Sequence, residues 1–567
     1  MQLNEQSKII YKNHNYNYTF LQRQIDYVKN KIVSANMDGQ TPVVLALQRT
    51  PMLISCMFAL LDLHIPFLPV DINQPAERIC EMLEQANAEC VITDIESQDN
   101  IVFDNLTKIY CTEDEADNYV YRKSDKKYNN DIAYVLFTSG TTGKPKGVEV
   151  TREGLSNFIL GVTDIIDFSV RKKIISLTSF TFDIFFLETI LALSQGLTVI
   201  LASEDERKNP KKIEELILNN NVDMMQITPS MMELLYIYNR DLKFVNSLSE
   251  IMLGGEKLPQ HMLEILQGTG NVKIYNMYGP TETTIWSTVA DLTTEDYVHI
   301  GKPIKNTKIY LMDENLNVVP NGESGEICIA GVGLANGYVN SMEQTEKAFI
   351  YTVDGQRVYR TGDLGKRDSH GKLICLGRKD SQVKIHGHRI ELEDIECNIK
   401  KMKEIVDCIT CVEKNKGDIL VAFYKASECI EENKIRNFAG KYLPEYMLPV
   451  QYVHVKEFIY NTNGKIDRKA MLENYAKKQK NQVNSINNQD ECIRIIRKCI
   501  NKAEMDITVE TMFEDMNLDS IEYVQMIVEL EDFYSIEFEP ECMAGQYFEK
   551  VSDLKDYIKF KCCREVS

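Results

Sequence analysis

No run of apolar residues in this sequence approaches the roughly 18 needed to cross a bilayer as a helix. The opening stretch, MQLNEQSKIIYKNHNYNYTF, lacks the apolar core of a signal peptide. Both absences lead us to expect a cytoplasmic protein with no membrane partner. Positive charge is also in short supply: 64 Lys and Arg stand against 84 Asp and Glu, for a net charge of −20. A chain this acidic repels a phosphate backbone unless its basic residues cluster, which argues against nucleic acid as a partner. Of the 15 cysteines only Cys408 and Cys411 form a CxxC, in EIVDCITCV, a strand-like run. Residues three apart on a strand face opposite sides, so this pair is wrong for joint metal ligation and reads as two small buried hydrophobes. Internal repeats are absent.

At 567 residues the chain exceeds one core and is expected to hold about three to four domains. Its 44% hydrophobic and 26% charged residues are those of a soluble globular protein. Over the first four hundred residues, β-branched runs such as TPVVLAL (41–47), ECVITD (89–94), AYVLF (133–137) and LTVILA (197–202) alternate with helix-like stretches. That rhythm predicts an α/β fold with mostly parallel sheet. Near Gly377–Asp380 it gives way to a smaller α+β unit with its own strands, DILVAFY (418–424) and YVHVKEF (452–458). Residues 475–490, YAKKQKNQVNSINNQD, are polar and read as a linker. The last eighty or so residues lack Pro/Gly-rich turns and read as a small all-α bundle. The resulting boundaries are 1–379, 380–474, a linker at 475–487, and 488–567.

The most informative segment is YVLFTSGTTGKPKGVEV, residues 134–150. A strand opens into Thr138, Ser139, Gly140, Thr141, Thr142, Gly143 and, beyond Lys144 and Pro145, Lys146. Glycines let the backbone approach a ligand closely, while hydroxyls, free N–H groups and two lysines meet an oligophosphate. It is not a Walker loop, because Pro145 follows Gly143-Lys144 where Ser or Thr would hold magnesium.

This loop resembles that of the adenylate-forming superfamily, specifically the adenylation domains of nonribosomal peptide synthetases. The resemblance continues in chain order through LDLHIPFLPVD (61–71), NMYGPTETT (276–284), GEICIAGVGLANGY (325–338), YRTGDLGKR (359–367), GRKDSQVKIHGHRIELEDIE (377–396), LPEYMLP (443–449) and NTNGKIDRKAM (461–471). It implies carboxylate attack on the α-phosphate of ATP, a step that needs charge neutralisation, in-line positioning and Mg2+. By the same resemblance Tyr278 stacks on adenine, Thr281 and Glu282 follow the α-phosphate and the metal, Asp363 accepts from the ribose hydroxyls, and Arg378 adds a second contact. Lys465 reaches the substrate carboxylate and α-phosphate from the smaller unit, which turns about a hinge at Asp380. One departure is His386, where the family has Arg.

At the C-terminus, MFEDMNLDSIEYVQMIVELEDFYSIEF resembles acyl and peptidyl carrier domains, in which the serine of Asp519-Ser520 bears 4′-phosphopantetheine, attached by a phosphopantetheinyl transferase. The tether raises the effective concentration of its thiol at the adenylate.

For the substrate, the resemblance assigns Asp183 to the α-ammonium and Ile184, Leu187, Gln226, Met252, Gly254, Met277, Ile285 and Trp286 to the pocket lining. A filled pocket with an ammonium anchor favours a very small substrate, and the set resembles the specificity pattern associated with glycine, so the resemblance implies glycine, with alanine second. Acyl-CoA synthetases and luciferases of the superfamily generally lack the carboxylate at Asp183, which argues for an amino acid over the alternative reading, an acyl- or aryl-acid ligase. No HHxxxDG condensation string and no GxSxG release string occur. The resemblance therefore implies a loading unit that passes its aminoacyl group to a downstream condensation or tailoring enzyme.

Overall fold

The computed structural model describes residues 2–94, 101–117, 126–140, 143–385, 387–413, 419–460, 466–483, 491–500, 506–516, 518, 520–534, 536, 538–539, 542 and 547–564. Two mixed sheets carry the large unit. One has nine strands, in the order Lys302–Pro303, Thr288–Asp291, Lys273–Tyr278, Glu250–Gly254, Met224–Ile227, Lys173–Ser176, Thr198–Leu201, Lys8–Tyr11 and His14–Asn17. From Lys273–Tyr278 to Lys8–Tyr11 the neighbours run parallel. The other has seven strands, and Ile132–Thr138, Phe67–Pro69, Val43–Ala46, Cys90–Thr93 and Thr107–Tyr110 form its parallel part.

Strand alternation builds a core on each face. Val43 and Leu45 enter the largest cluster, which also takes Ile174 and Val199 from the nine-stranded sheet, whereas Val44 and Ala46 enter a separate cluster with Ile79 and Val91. Strands buried on both faces need near-continuous apolar sequence, as TPVVLAL supplies. Helix Pro51–Leu63 lies in that main core and is buried at every position but Asp62, as a helix apolar all round must be.

Residues 307–378 depart from the expected parallel rhythm. Thr307–Met312, Ser324–Gly331, Arg357–Arg367, Phe349–Tyr351 and Leu373–Arg378 pair antiparallel in a third sheet. Most connections here are too short for a crossover helix, so successive strands fold back as neighbours.

In the smaller unit, the hairpin Val383–Ile385/His388–Ile390 precedes helix Leu392–Ile399 and a three-stranded sheet of Ile405–Glu413, Ile419–Ala426 and Gln451–His454. Cys408 and Cys411 project into different clusters on the two faces of that sheet, as their spacing predicts. The segment read as linker is in part helical: helix Arg468–Val483 runs through its beginning, because Met471 and Tyr475 anchor the helix start on the three-stranded sheet and the Ala, Lys and Gln residues that follow are good helix formers.

Beyond it lie helices Glu491–Cys499, Phe513–Met516, Ser520–Tyr534 and Val551–Arg564. Their shared core also takes Leu234, with Met231 and Tyr238 packed against it, from helix Pro229–Tyr238 of the large unit. Among the described residues no helix is long and apolar enough to cross a membrane.

Candidate active site

The carboxyl ends of the parallel strands converge on one cleft, open to solvent. Ligands of open α/β sheets bind at such ends. Thr138 and Ser139 line it from the strand Ile132–Thr138, Asp183 and Ile184 from the segment after Lys173–Ser176, and Thr281 and Trp286 from that after Lys273–Tyr278. Asp363 and Arg378 close it from the third sheet.

The phosphate loop joins an antiparallel pair, Ile132–Thr138 and Lys146–Thr151. A Cβ on Gly140 would sit 2.0 Å from the Lys144 carbonyl oxygen, so only glycine permits this turn. Gly143 has φ +78°, and a Cβ there would lie 2.8 Å from Cys397 Cβ. Lys146 is half-buried, and burial holds its pKa below the usual lysine range. Thr141 and Thr142 lie outside the described residues, as do Lys465, His386 and Asp519.

Asp363 and Arg378 form a fixed polar group. The Tyr278 hydroxyl donates to Asp363 Oδ2 at 2.7 Å, and Arg378 Nη1 lies 3.4 Å from Asp363 Oδ1. Arg378 also grips Asp380, from Nε at 2.8 Å and from Nη2 at 2.5 Å. The residue assigned to the hinge is thus held by the residue assigned to the nucleotide. Tyr278 is buried with its hydroxyl engaged here.

Glu282 is buried, and both its oxygens take Arg389 Nη1, at 2.9 and 2.8 Å, while Tyr338 OH donates at 2.9 Å. Burial, the largest influence, disfavours its charge, but the Arg389 guanidinium together with hydrogen bonds from the backbone, Tyr338 and Tyr359 outweighs it and holds the carboxyl below the usual range. Arg389 belongs to the smaller unit, which covers the cleft by several further contacts. Ser139 Oγ donates to Arg389 O at 2.8 Å and accepts from Glu391 N at 3.0 Å. Gly387 N donates to Glu256 Oε1 at 2.5 Å. His388 stacks on Tyr446 at 3.7 Å and meets the Phe182 edge at 4.7 Å.

The family profile of the AMP-binding enzymes matches residues 2–339. The chain belongs to that family. It is 34% identical over 469 residues to the dimodular nonribosomal peptide synthase of Bacillus subtilis (strain 168), covering 80% of this chain and 20% of that protein. It is 31% identical over 486 residues to the zwittermicin A synthase ZmaJ of Bacillus cereus, covering 82% and 91%. A solved nonribosomal peptide synthetase protein containing adenylation and PCP domains, bound to a vinylsulfonamide inhibitor, superposes with TM-score 0.82 at 22% identity. That match covers 98% of this chain and 94% of the other, and speaks for the fold. The chain spans between 10% and 20% of the length of the first large synthetases it matches.

In this AMP-binding enzyme the nine residues assigned to the pocket fall into three groups. Asp183, Ile184 and Trp286 line the cleft. Leu187, Met252, Met277 and Ile285 lie in the main core behind it, each at most 2% exposed. Gln226 is buried with both ends of its amide engaged by protein, and Gly254 ends its strand beneath the Trp286 ring. Thr284 and Ile285 both have positive φ, +65° and +66°. For a β-branched residue that is a strained conformation of the kind found at functional sites, and it turns Trp286 back into the cleft.

Asp183 is 6% exposed, and its Oδ2 has no hydrogen-bond partner. Burial pushes its carboxyl up to about 6, helped by nearby Glu282 and opposed by Thr281 and backbone donors. An orphaned, buried acceptor on a cleft wall lacks a cation or donor.

The residue-level reading did not single out Arg389, Gly387, His388, Tyr446 or Glu256. The first three lie inside GRKDSQVKIHGHRIELEDIE, but nothing local says that Arg389 faces Glu282 and Gly387 faces Glu256 rather than solvent.

Proposed function

We propose that this enzyme activates an amino acid, glycine in preference to alanine, as its adenylate, and passes the acyl group to a thiol arm carried on Ser520. One observation carries the substrate class: the unpartnered Oδ2 of Asp183, buried and facing the cleft, fits an α-ammonium. With the ammonium held there, the substrate carboxylate is directed towards the phosphate loop. Bond formation between a carboxylate oxygen and the α-phosphorus of ATP breaks the bond to the β-phosphate and releases pyrophosphate. Backbone N–H groups of the loop and Lys146 offset the phosphate charge, Asp363 and Arg378 hold the ribose side, and Lys465 stabilises the charge that builds at phosphorus.

Glu282 suits a Mg2+ ion in chemistry: a lone carboxylate plus substrate phosphates is the usual protein share of such a site. Among the described residues no group of three or more His, Cys, Asp or Glu could hold a metal by itself. In the present arrangement Arg389 takes both Glu282 oxygens, so the metal fits with the smaller unit turned away about Asp380. A phosphopantetheine arm on Ser520, the first residue of its helix, would supply the accepting thiol. The receiving partner is a condensation or tailoring enzyme.

Pyrophosphate exchange across the proteinogenic amino acids tests this reading. Glycine is the best substrate and Val, Phe and the acidic residues are weak; a best substrate as large as Leu refutes the pocket. Intact mass after treatment with a phosphopantetheinyl transferase and CoA tests the arm. No mass gain, or a gain retained in Ser520→Ala, removes Ser520. An acyl- or aryl-acid ligase is opposed by Asp183 and is excluded when exchange requires the α-amino group.

A further inference from the structure

Trp286 is the chain's only tryptophan and is 1% exposed. Its ring lies over Gly254, where a Cβ would fall 2.5 Å from Cη2. Its Nε1 donates to Gln226 Oε1 at 2.9 Å. At the other end of that amide, Nε2 donates to Ile184 O at 3.0 Å and to Glu188 Oε1 at 3.1 Å. Glu188 lies in the π-helical turn Leu187–Leu191 and is fully buried. Its Oε2 accepts from Ser176 Oγ at 2.9 Å, Leu177 N at 3.0 Å and Thr178 N at 3.1 Å, and Oε1 also accepts from Thr178 Oγ1 at 2.5 Å. Arg49, likewise buried, backs the same strand end by donating to Ser176 O, Ser176 Oγ and Ala202 O at 2.8–2.9 Å.

The chemistry of these groups fixes their sense. A carboxylate and a carbonyl only accept, so the NH2 of Gln226 must face Glu188 and Ile184. Its oxygen is thereby left for the indole N–H, which only donates. Reversing the amide would set two donors against each other in a buried site, at the cost of unsatisfied groups.

We propose that Glu188 is a positioning residue for substrate choice: acting through Gln226, it locks the Trp286 indole as a floor that admits little or no side chain. This rests on the amino-acid reading above.

The test uses the full chain with Gln226→Leu, Glu188→Gln and both together. Trp286 fluorescence reports the floor without contribution from any other tryptophan, through acrylamide quenching and the emission maximum. The unaltered protein should be blue-shifted and shielded, and both single variants should be more quenchable. The alanine-to-glycine ratio of kcat/KM should rise by about tenfold, the scale on which one methyl is discriminated. If Glu188 acts through the amide, adding Glu188→Gln to Gln226→Leu should raise the ratio no further. Unchanged quenching, an unchanged ratio, or full additivity overturns the lock. Should Glu188→Gln fail to fold, Glu188→Asp, which keeps the charge but shortens its reach to the amide, takes its place in the same comparison with Gln226→Leu. If the unaltered protein exchanges pyrophosphate with no amino acid, the functional reading fails instead, and quenching alone judges the lock.

Discussion

Replacing Asp183 by Asn removes the charge of the ammonium anchor while preserving its shape. Burial raises the carboxyl from 3.8 to about 6, a differential of about 3 kcal/mol between its charged and neutral forms. An arriving ammonium relieves that penalty, so the pair gains from a carboxylate that is poorly compensated without substrate. Truncating one partner of a buried, hydrogen-bonded charge pair costs about 2–5 kcal/mol. Asp183→Asn should therefore lower kcat/KM for glycine by about a hundredfold or more, mainly through KM. The sign of the pH effect follows from the raised value. Below about 6 the free carboxyl is protonated and cannot pair with the ammonium, so wild-type kcat/KM should fall as pH drops through that value, a limb absent in the variant. Pyrophosphate exchange at pH 5–8, with glycine and with acetate, measures both. Acetate has no ammonium and should discriminate little between the two proteins. An unchanged kcat/KM for glycine in Asp183→Asn, or equal losses with acetate, refutes the anchor.

Gly254→Ala drives a methyl to 2.5 Å from the Trp286 ring and 2.8 Å from the Met277 carbonyl oxygen; overpacking of about 1–3 kcal/mol should lower the denaturation midpoint, and an unaltered midpoint contradicts the packing. Arg389→Met leaves Glu282 buried without its cation, so the smaller unit should be held over the cleft less firmly: thiol loading of Ser520 falls while pyrophosphate exchange persists, and parallel loss of both rejects this assignment. Lys465→Ala should cut adenylate formation by about two or more orders of magnitude, and near-normal exchange in that variant removes the lysine from the mechanism.

Patterns that are local in the chain were legible from residues alone. The apolar runs that became Val43–Ala46 and Cys90–Thr93, the glycine-constrained turn at Gly140–Gly143, and the faces of Cys408 and Cys411 follow from steric limits and a two-residue period acting over a few positions. Motif order placed Asp183, Thr281, Asp363 and Arg378 in one site, and the structure brings them to one cleft.

Tertiary structure alone decided what those residues touch. Arg389 meets Glu282 across 107 positions, Glu391 meets Ser139 across 252, and Trp286 meets Gln226 across 60. No periodicity encodes such pairings. They arise because separate sheets and the smaller unit pack together, and burial then obliges each polar group to find a partner wherever the chain has brought one. The antiparallel third sheet and the helix through Val483 were hidden for a related reason, since strand direction and the state of a polar segment depend on neighbours that composition does not specify. The sequence by itself determined which side chains the cleft can offer; the packing determined that Asp183 Oδ2 is buried without a hydrogen-bond partner and that buried Glu188 meets the Trp286 indole through the Gln226 amide.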